Sequence, residues 1–172
     1  KDGGVSEYTV LVTVANVAPS ATLVADDVVD EGTAFSLSLT DPSDPSSADT
    51  AAGFEFAFDC GDGDGYGAFG GLAAVTCDTD GAGTRDVGAK IRDKDGGERE
   101  YTATVSVLNL APVATFNAPA SVNEGSPIAL ELTDPSSANT TGGFEFGFDC
   151  GDGAGFGAFS TTTSASCATT DD

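Results

Sequence analysis

The chain has no histidine, methionine or tryptophan, and only six of its 172 residues are lysine or arginine. Without histidine it lacks the commonest general base and the commonest transition-metal ligand. Six basic against 28 acidic residues leave a formal net charge of -22, which repels nucleic acid and anionic lipid alike, so neither is an expected partner. No apolar run approaches the ~20 residues that span a bilayer, and direct membrane insertion is not expected. A Ser-His-Asp set, a Gly-x-Ser-x-Gly elbow and a phosphate loop are all missing, so the chain reads as no enzyme. No stretch carries a 3.6-residue apolar period, which argues against a helical fold. Lys1 opens into KDGG without a signal-peptide pattern, so an export signal would lie outside this segment.

What is present comes in repeats. FEFAFDCGDGDGYGAF at residues 54–69 returns as FEFGFDCGDGAGFGAF at residues 144–159, and residues 1–23 return at 94–116. The offset falls from 93 to 90 across a variable loop, residues 41–53 in the first copy and three residues shorter in the second. A period of this length is too long for a solenoid and fits a tandem array of small domains.

Within each repeat apolar residues alternate with polar ones: Tyr8, Val10, Val12 and Val14; Phe35, Leu37 and Leu39; Phe54, Phe56 and Phe58; Val87, Ala89 and Ile91. Period two, with turn residues every ten or so positions, predicts an all-β fold of tandem immunoglobulin-like β-sandwich modules. Asn16-Val17-Ala18-Pro19 and Asn109-Leu110-Ala111-Pro112 mark the joints, where proline imposes an extended connection. Residues 1–17 then supply the last strand of a preceding module, 18–110 form a complete sandwich, and 111–172 form a following one that lacks its last two strands. In the complete module, strands are expected at residues 21–24, 35–40, 54–60, 67–69, 74–77, 85–92 and 101–108. The unfinished module points to a segment of a longer array, or to subunits in which residues 1–17 complete a neighbour's module.

The residues FAFDCGDG (56–63), GTRDVGAKIRDKDGG (83–97) and EYTATVSV (100–107) resemble the polycystic-kidney-disease (PKD) domain. That family's pattern is an aromatic-x-Trp-Asp-Phe-Gly-Asp-Gly strand and turn, followed by a Gly-Thr-Tyr-x-Val-x-Leu-x-Val-x-Asp strand. Here Phe58 stands for its tryptophan and Cys60 for its phenylalanine. The resemblance implies an immunoglobulin-like sandwich found in tandem on bacterial and archaeal surface proteins and beside secreted hydrolases, as spacer or adhesive module. The Asn-x-Ala-Pro joints and the Asp-x-Asp-Gly at 93–96 are also similar to the calcium-linker elements of cadherin repeats.

Four cysteines form two equally spaced pairs, and the repeat register selects Cys60–Cys77 and Cys150–Cys167 from the three possible connectivities. Disulfides imply an oxidising, extracellular or cell-surface location. The lack of histidine and of Cys-x-x-Cys spacing argues against zinc. So acidic a chain invites Ca2+, whose ligands are oxygens. Asp93 and Asp95, with Glu31, Glu124 and Asn109 at module ends, are one candidate set; the competing reading of Asp93–Gly97 is an ordinary hairpin turn. Asp59, Asp62 and Asp64 are the other, against a tight turn whose aspartate bonds backbone amides, since Ala154 replaces Asp64 in the second copy. Asn139 begins the one Asn-x-Ser/Thr sequon, and Thr161, Thr162 and Thr163 could carry O-linked sugar. The expected role is a structural or adhesive array in a surface protein, stalk or filament, stiffened by disulfides and by Ca2+. Its partners would be neighbouring modules, further copies in a filament, or a surface glycan or protein. The alternative is an accessory module of a secreted hydrolase that holds polysaccharide or protein through residues 41–53.

Overall fold

The computed structural model describes residues 2–139 and 142–169. Alternating strands dominate, as period two requires. In chain order they are β1 (Ser20–Ala25), β2 (Val28–Asp30), β3 (Phe35–Ser43), the short helix α1 (Ser47–Ala52), β4 (Glu55–Asp59), β5 (Ala74–Cys77), β6 (Gly83–Arg92), β7 (Glu98–Leu108), β8 (Val113–Asn117), β9 (Ile128–Ser136) and β10 (Ser164–Cys167). The chain is an all-β protein of immunoglobulin-like sandwich type. One three-stranded sheet runs β1-β3-β5, a four-stranded sheet runs β2-β7-β6-β4, and a second three-stranded sheet runs β10-β9-β8.

Two compact units divide the residues. The first comprises Lys1–Asp26, Ser36–Cys77 and Arg85–Thr104, the second Asp27–Phe35, Asp78–Thr84 and Val105–Asp172. In the first, Leu39 of β3 meets Phe56 of β4 and Ala89 and Ile91 of β6, all buried, with Ala21, Leu23, Phe54, Phe58 and Tyr101 packed around them. Two sheets thus share one apolar layer, the arrangement that lets each hide its hydrophobic face. The Tyr101 hydroxyl accepts from the Ala21 amide at 2.8 Å, tying β1 to β7. Cys60 bonds Cys77 across 5.6 Å between Cα atoms, and Cys150 bonds Cys167 across 5.4 Å.

Several sequence expectations need correction. Residues 67–69 are not a strand: Gly67 and Gly70 bond Phe58 and Phe56 in a single bridge, because the glycines let the chain turn back before a ladder forms. The loop at 41–53 is not open. Strand β3 continues to Ser43, and Ser46 caps α1 by accepting from the Asp49 amide at 3.3 Å. Asp41 and its counterpart Asp134 adopt φ of 52°, a left-handed conformation that aspartate tolerates better than most residues. β2 was not anticipated; three residues are too few to show a period, and parallel pairing with β7 makes the strand.

Two further departures concern residues 2–17 and 144–150. Residues 2–17 hold no strand, and Tyr8, Val10, Leu11 and Val14 are at least 85% exposed. The aromatic segment 144–150 is likewise no strand, although it repeats β4 almost residue for residue; Phe146 makes one bridge to Ser160. In the first copy Glu55–Asp59 pairs antiparallel with Gly88–Arg92, and the sequence holds no second counterpart of that strand. A strand is defined by its ladder, so the same residues form one only where the ladder exists.

Each bridge closes a loop of sequence separation 17, a size worth about 3 kcal/mol through the unfolded chain. Replacing Cys60 and Cys77 together by serine is expected to lower stability by about that amount. Chemical denaturation of the variant checks it, and an unchanged midpoint would remove the staple from the account.

Candidate functional site

The turn between β6 and β7 folds around one carboxylate. Asp93 is 3% exposed. Its Oδ1 accepts from the amides of Asp95 and Gly97, both at 2.9 Å. Asn16, from the joint before the sandwich, donates its side-chain amide to both oxygens at 3.1 and 2.9 Å. Beside it Lys94 reaches the buried Asp49 of α1 at 2.6 Å and also pairs with Asp95. Lys94, followed by Ser46, holds the Asp49 carboxyl below the usual carboxylate range. For Asp93, burial pushes upward, but bonds from Asn16, Gly97 and Asp95 outweigh it and the net shift is downward. Asp49 and Asp95 in turn raise Lys94 above the ordinary lysine value, so the ammonium stays charged.

Glu31 builds a second clamp, inside the other unit. Its amide donates to Leu108 O at 2.9 Å and its Oε1 accepts from the Leu110 amide at 2.9 Å, so one residue grips both sides of the Asn109 joint. Gly32 follows with φ of 77°, donating to Thr79 O at 2.9 Å. A Cβ there would sit 2.8 Å from the Ala138 side chain, so glycine alone permits this approach of the tip of the first sandwich to the β9 loop. Glu31 is 3% exposed, and its Oε2 is buried without a hydrogen bond. A cleft of about 270 Å³ opens there, lined by Glu31, Asn109, Leu110, Pro112, Ser137 and Asn139.

The candidate calcium ligands are therefore distributed over separate places. Asp93 and Asp95 lie before the N-terminal end of β7, while Glu31 and Asn109 lie at its C-terminal end. Glu124 is exposed, next to Gly125, whose amide donates to the Thr169 hydroxyl. Among the described residues no three histidine, cysteine, aspartate or glutamate side chains gather as a metal-holding group. The Asp59 and Asp62 carboxylates accept from the Gly61 and Asp64 amides at 2.8 and 3.0 Å. Asp149 and Asp152 repeat this with Gly151 and Ala154 at 2.8 and 2.9 Å. Only the backbone of residue 64 or 154 takes part, which is why alanine serves in the second copy. Asn139 is exposed, and the other two sequon residues lie outside the described residues. Thr161, Thr162 and Thr163 are exposed.

Sequence reasoning missed Asn16, Asp49 and Lys94. A signal for Asn16 existed, since the joint asparagine recurs at Asn109; none existed for Asp49, whose partner is 45 residues away in sequence.

No protein-family model and no curated protein matches the chain. Among solved structures, carbohydrate-binding modules from the beta-sandwich superfamily are similar at 18% identity and a TM-score of 0.43, over 69% of this chain and 59% of theirs. The chain thus spans under two thirds of that structure. Fibronectin(III)-like modules of Clostridium thermocellum CbhA are similar at 17% identity and a TM-score of 0.38, over 88% of this chain and 80% of theirs.

Asp49 and Asp93 have folded values below their unfolded ones, so the stability they supply is complete above about pH 4 and is lost as pH falls through the folded values. The doubly substituted D49N/D93N protein is expected to lose less melting temperature between pH 7 and pH 3 than the parent. Parallel thermal melts check this, and equal losses would dismiss the two carboxylates as the acid-sensitive point.

Proposed function

We propose that the chain is part of an extracellular array of PKD-like modules whose role is mechanical: a spacer or adhesive stalk in a surface protein. The observation that carries this is the Glu31 clamp. A buried carboxylate bonded on to the Leu110 amide, backed by Gly32 against Ala138, limits how the Asn109–Pro112 joint can bend. The tip of the first sandwich, Asp27–Phe35 and Asp78–Thr84, belongs to the same compact unit as the residues that follow the joint. Two disulfides support an oxidising location. Net charge of -22 favours solubility and opposes lateral collapse of neighbouring stalks.

A second reading is an accessory module that holds polysaccharide or protein. It draws on exposed rings, Phe116 at 59%, Phe156 at 75% and Phe159 at 70%, because flat aromatic surface is a common contact for ligands of mixed polarity. The loop at 41–53 contributes less to it, since α1 is held by Ser46 and Lys94.

Glu31→Ala should widen the distribution of joint angles, whereas Glu31→Gln keeps an acceptor for Leu110 and should leave it close to the parent. Small-angle X-ray scattering measures this; an E31A profile identical to the parent's would defeat the rigid-joint reading. Retention of the parent on a polysaccharide column would favour the accessory-module reading instead.

A further inference from the structure

The tip of the first sandwich is held by a handful of bonds and carries charge of one sign. Two segments form it, Asp27–Phe35 and Asp78–Thr84, in one compact unit with the residues from Val105 onward. The Gly32 amide donates to Thr79 O at 2.9 Å, and the buried Thr79 hydroxyl donates toward Thr33 O at 3.0 Å and Asp30 O at 3.4 Å. Towards β7, the Ser106 amide donates to Asp27 O and the Glu31 amide to Leu108 O, both at 2.9 Å. Glu31 Oε1 then takes the Leu110 amide and closes the tip on the joint. Every group in this set lies between residues 27 and 110.

The two segments hold Asp27, Asp30, Glu31, Asp78 and Asp80, and neither lysine nor arginine. The cations of the same module are engaged elsewhere: Lys90, Arg92 and Lys94 pair with Glu100, Glu55, Glu98, Asp49 and Asp95, none of which belongs to the tip. Asp27, Asp30 and Asp80 are exposed, and no hydrogen bond or ion pair holds their side chains among the described residues. Glu31 is buried, and its Oε2 lines the cleft beside Asn109 without a donor. A carboxylate shut away from water feels neighbouring charge more strongly than an exposed one. Asp30 beside it in sequence, and Asp78 and Asp80 on either side of the Thr79 contact, therefore push against the residue that grips the joint. Salt decides how far that push reaches, because the screening length falls from about 10 Å at 0.1 M to about 3 Å at 1 M.

We propose that the tip is an ionic-strength-dependent clasp. Concentrated salt screens its carboxylates and keeps Glu31 on the Leu110 amide; dilute salt opens the tip and frees the Asn109–Pro112 joint. Mobile cations do this collectively, without one bound ion, and among the described residues no three acidic side chains gather as a metal-holding group. The inference rests on the Glu31 clamp of the rigid-joint reading and adds the condition under which the clamp holds. It also gives the net charge of -22 a setting, since so acidic a surface resists self-repulsion best in saline surroundings.

Amide hydrogen exchange on the whole protein reads the clasp, with the β4–β6 ladder as internal reference. On going from about 2 M to about 0.05 M NaCl, exchange at Gly32 and Leu110 should quicken by at least about tenfold relative to that ladder. KCl should act as NaCl does. The D27N/D30N/D80N protein loses three exposed charges and keeps every bond named above, so its response should shrink to within about threefold. Equal responses of tip and ladder would overturn the proposal. So would a triple variant as salt-sensitive as the parent, or closure in dilute buffer by millimolar CaCl2, which would mark a bound ion. If E31A scatters like the parent while Gly32 and Leu110 of the parent still respond to salt, the rigid joint fails and the clasp stands; the opposite pair of results defeats the clasp alone.

Discussion

The pairing of β4 with β6 is the interaction on which the sandwich depends. It brings Phe56 and Phe58 against Ala89 and Ile91, it seats Arg92 on Glu55 and Phe69, and it places the turn after β6 where Asp93 can gather its amides. The second aromatic segment makes a bridge to Ser160 and takes a bond from the Gly157 amide at Phe148 O, with Phe146 buried and Phe144 and Phe148 half-buried, but it joins no ladder. Strand propensity and alternation are conditional; they describe what a segment will do once a neighbour supplies the other half of the ladder.

Scarcity of positive charge makes each basic residue conspicuous. Lys90, Arg92 and Lys94 all lie on β6 or just after it, and each meets acidic partners: Glu100, then Glu55 and Glu98, then Asp49 and Asp95. Exposed pairs of this kind contribute little individually. Their value here is placement, since Lys94 neutralises a buried carboxylate and Lys90 and Arg92 cover aromatic rings that would otherwise face solvent. In a chain so acidic, these contacts also relieve local repulsion.

The joints show how a short asparagine-x-alanine-proline segment is held. Asn16 is bonded by the sandwich that follows it, through Asp93, and Leu110 by the sandwich that precedes it, through Glu31. In both cases a buried carboxylate captures groups of an extended segment, and proline keeps that segment extended. A stalk built of such joints transmits force and orientation along its length, which is the mechanical role proposed for it.

Much was legible in the order of residues: the repeat, the all-β plan, the aromatic and apolar faces, and the cysteine register. These are local or periodic signals, carried by neighbours two apart or by comparison of copies. The turn role of Asp62 was also readable, because Ala154 shows what the position can lose. Tertiary structure alone decided that Asp49 is buried on Lys94, that Glu31 and Asp93 serve opposite ends of β7, and that residues 41–53 hold a helix. The contacts of Asp49, Glu31 and Asp93 join groups tens of residues apart, where the identity of the partner leaves no local trace. The same physics explains why two nearly identical segments came out differently. Sequence determines which side chains can face inward; the presence of a partner strand decides whether the segment joins a ladder.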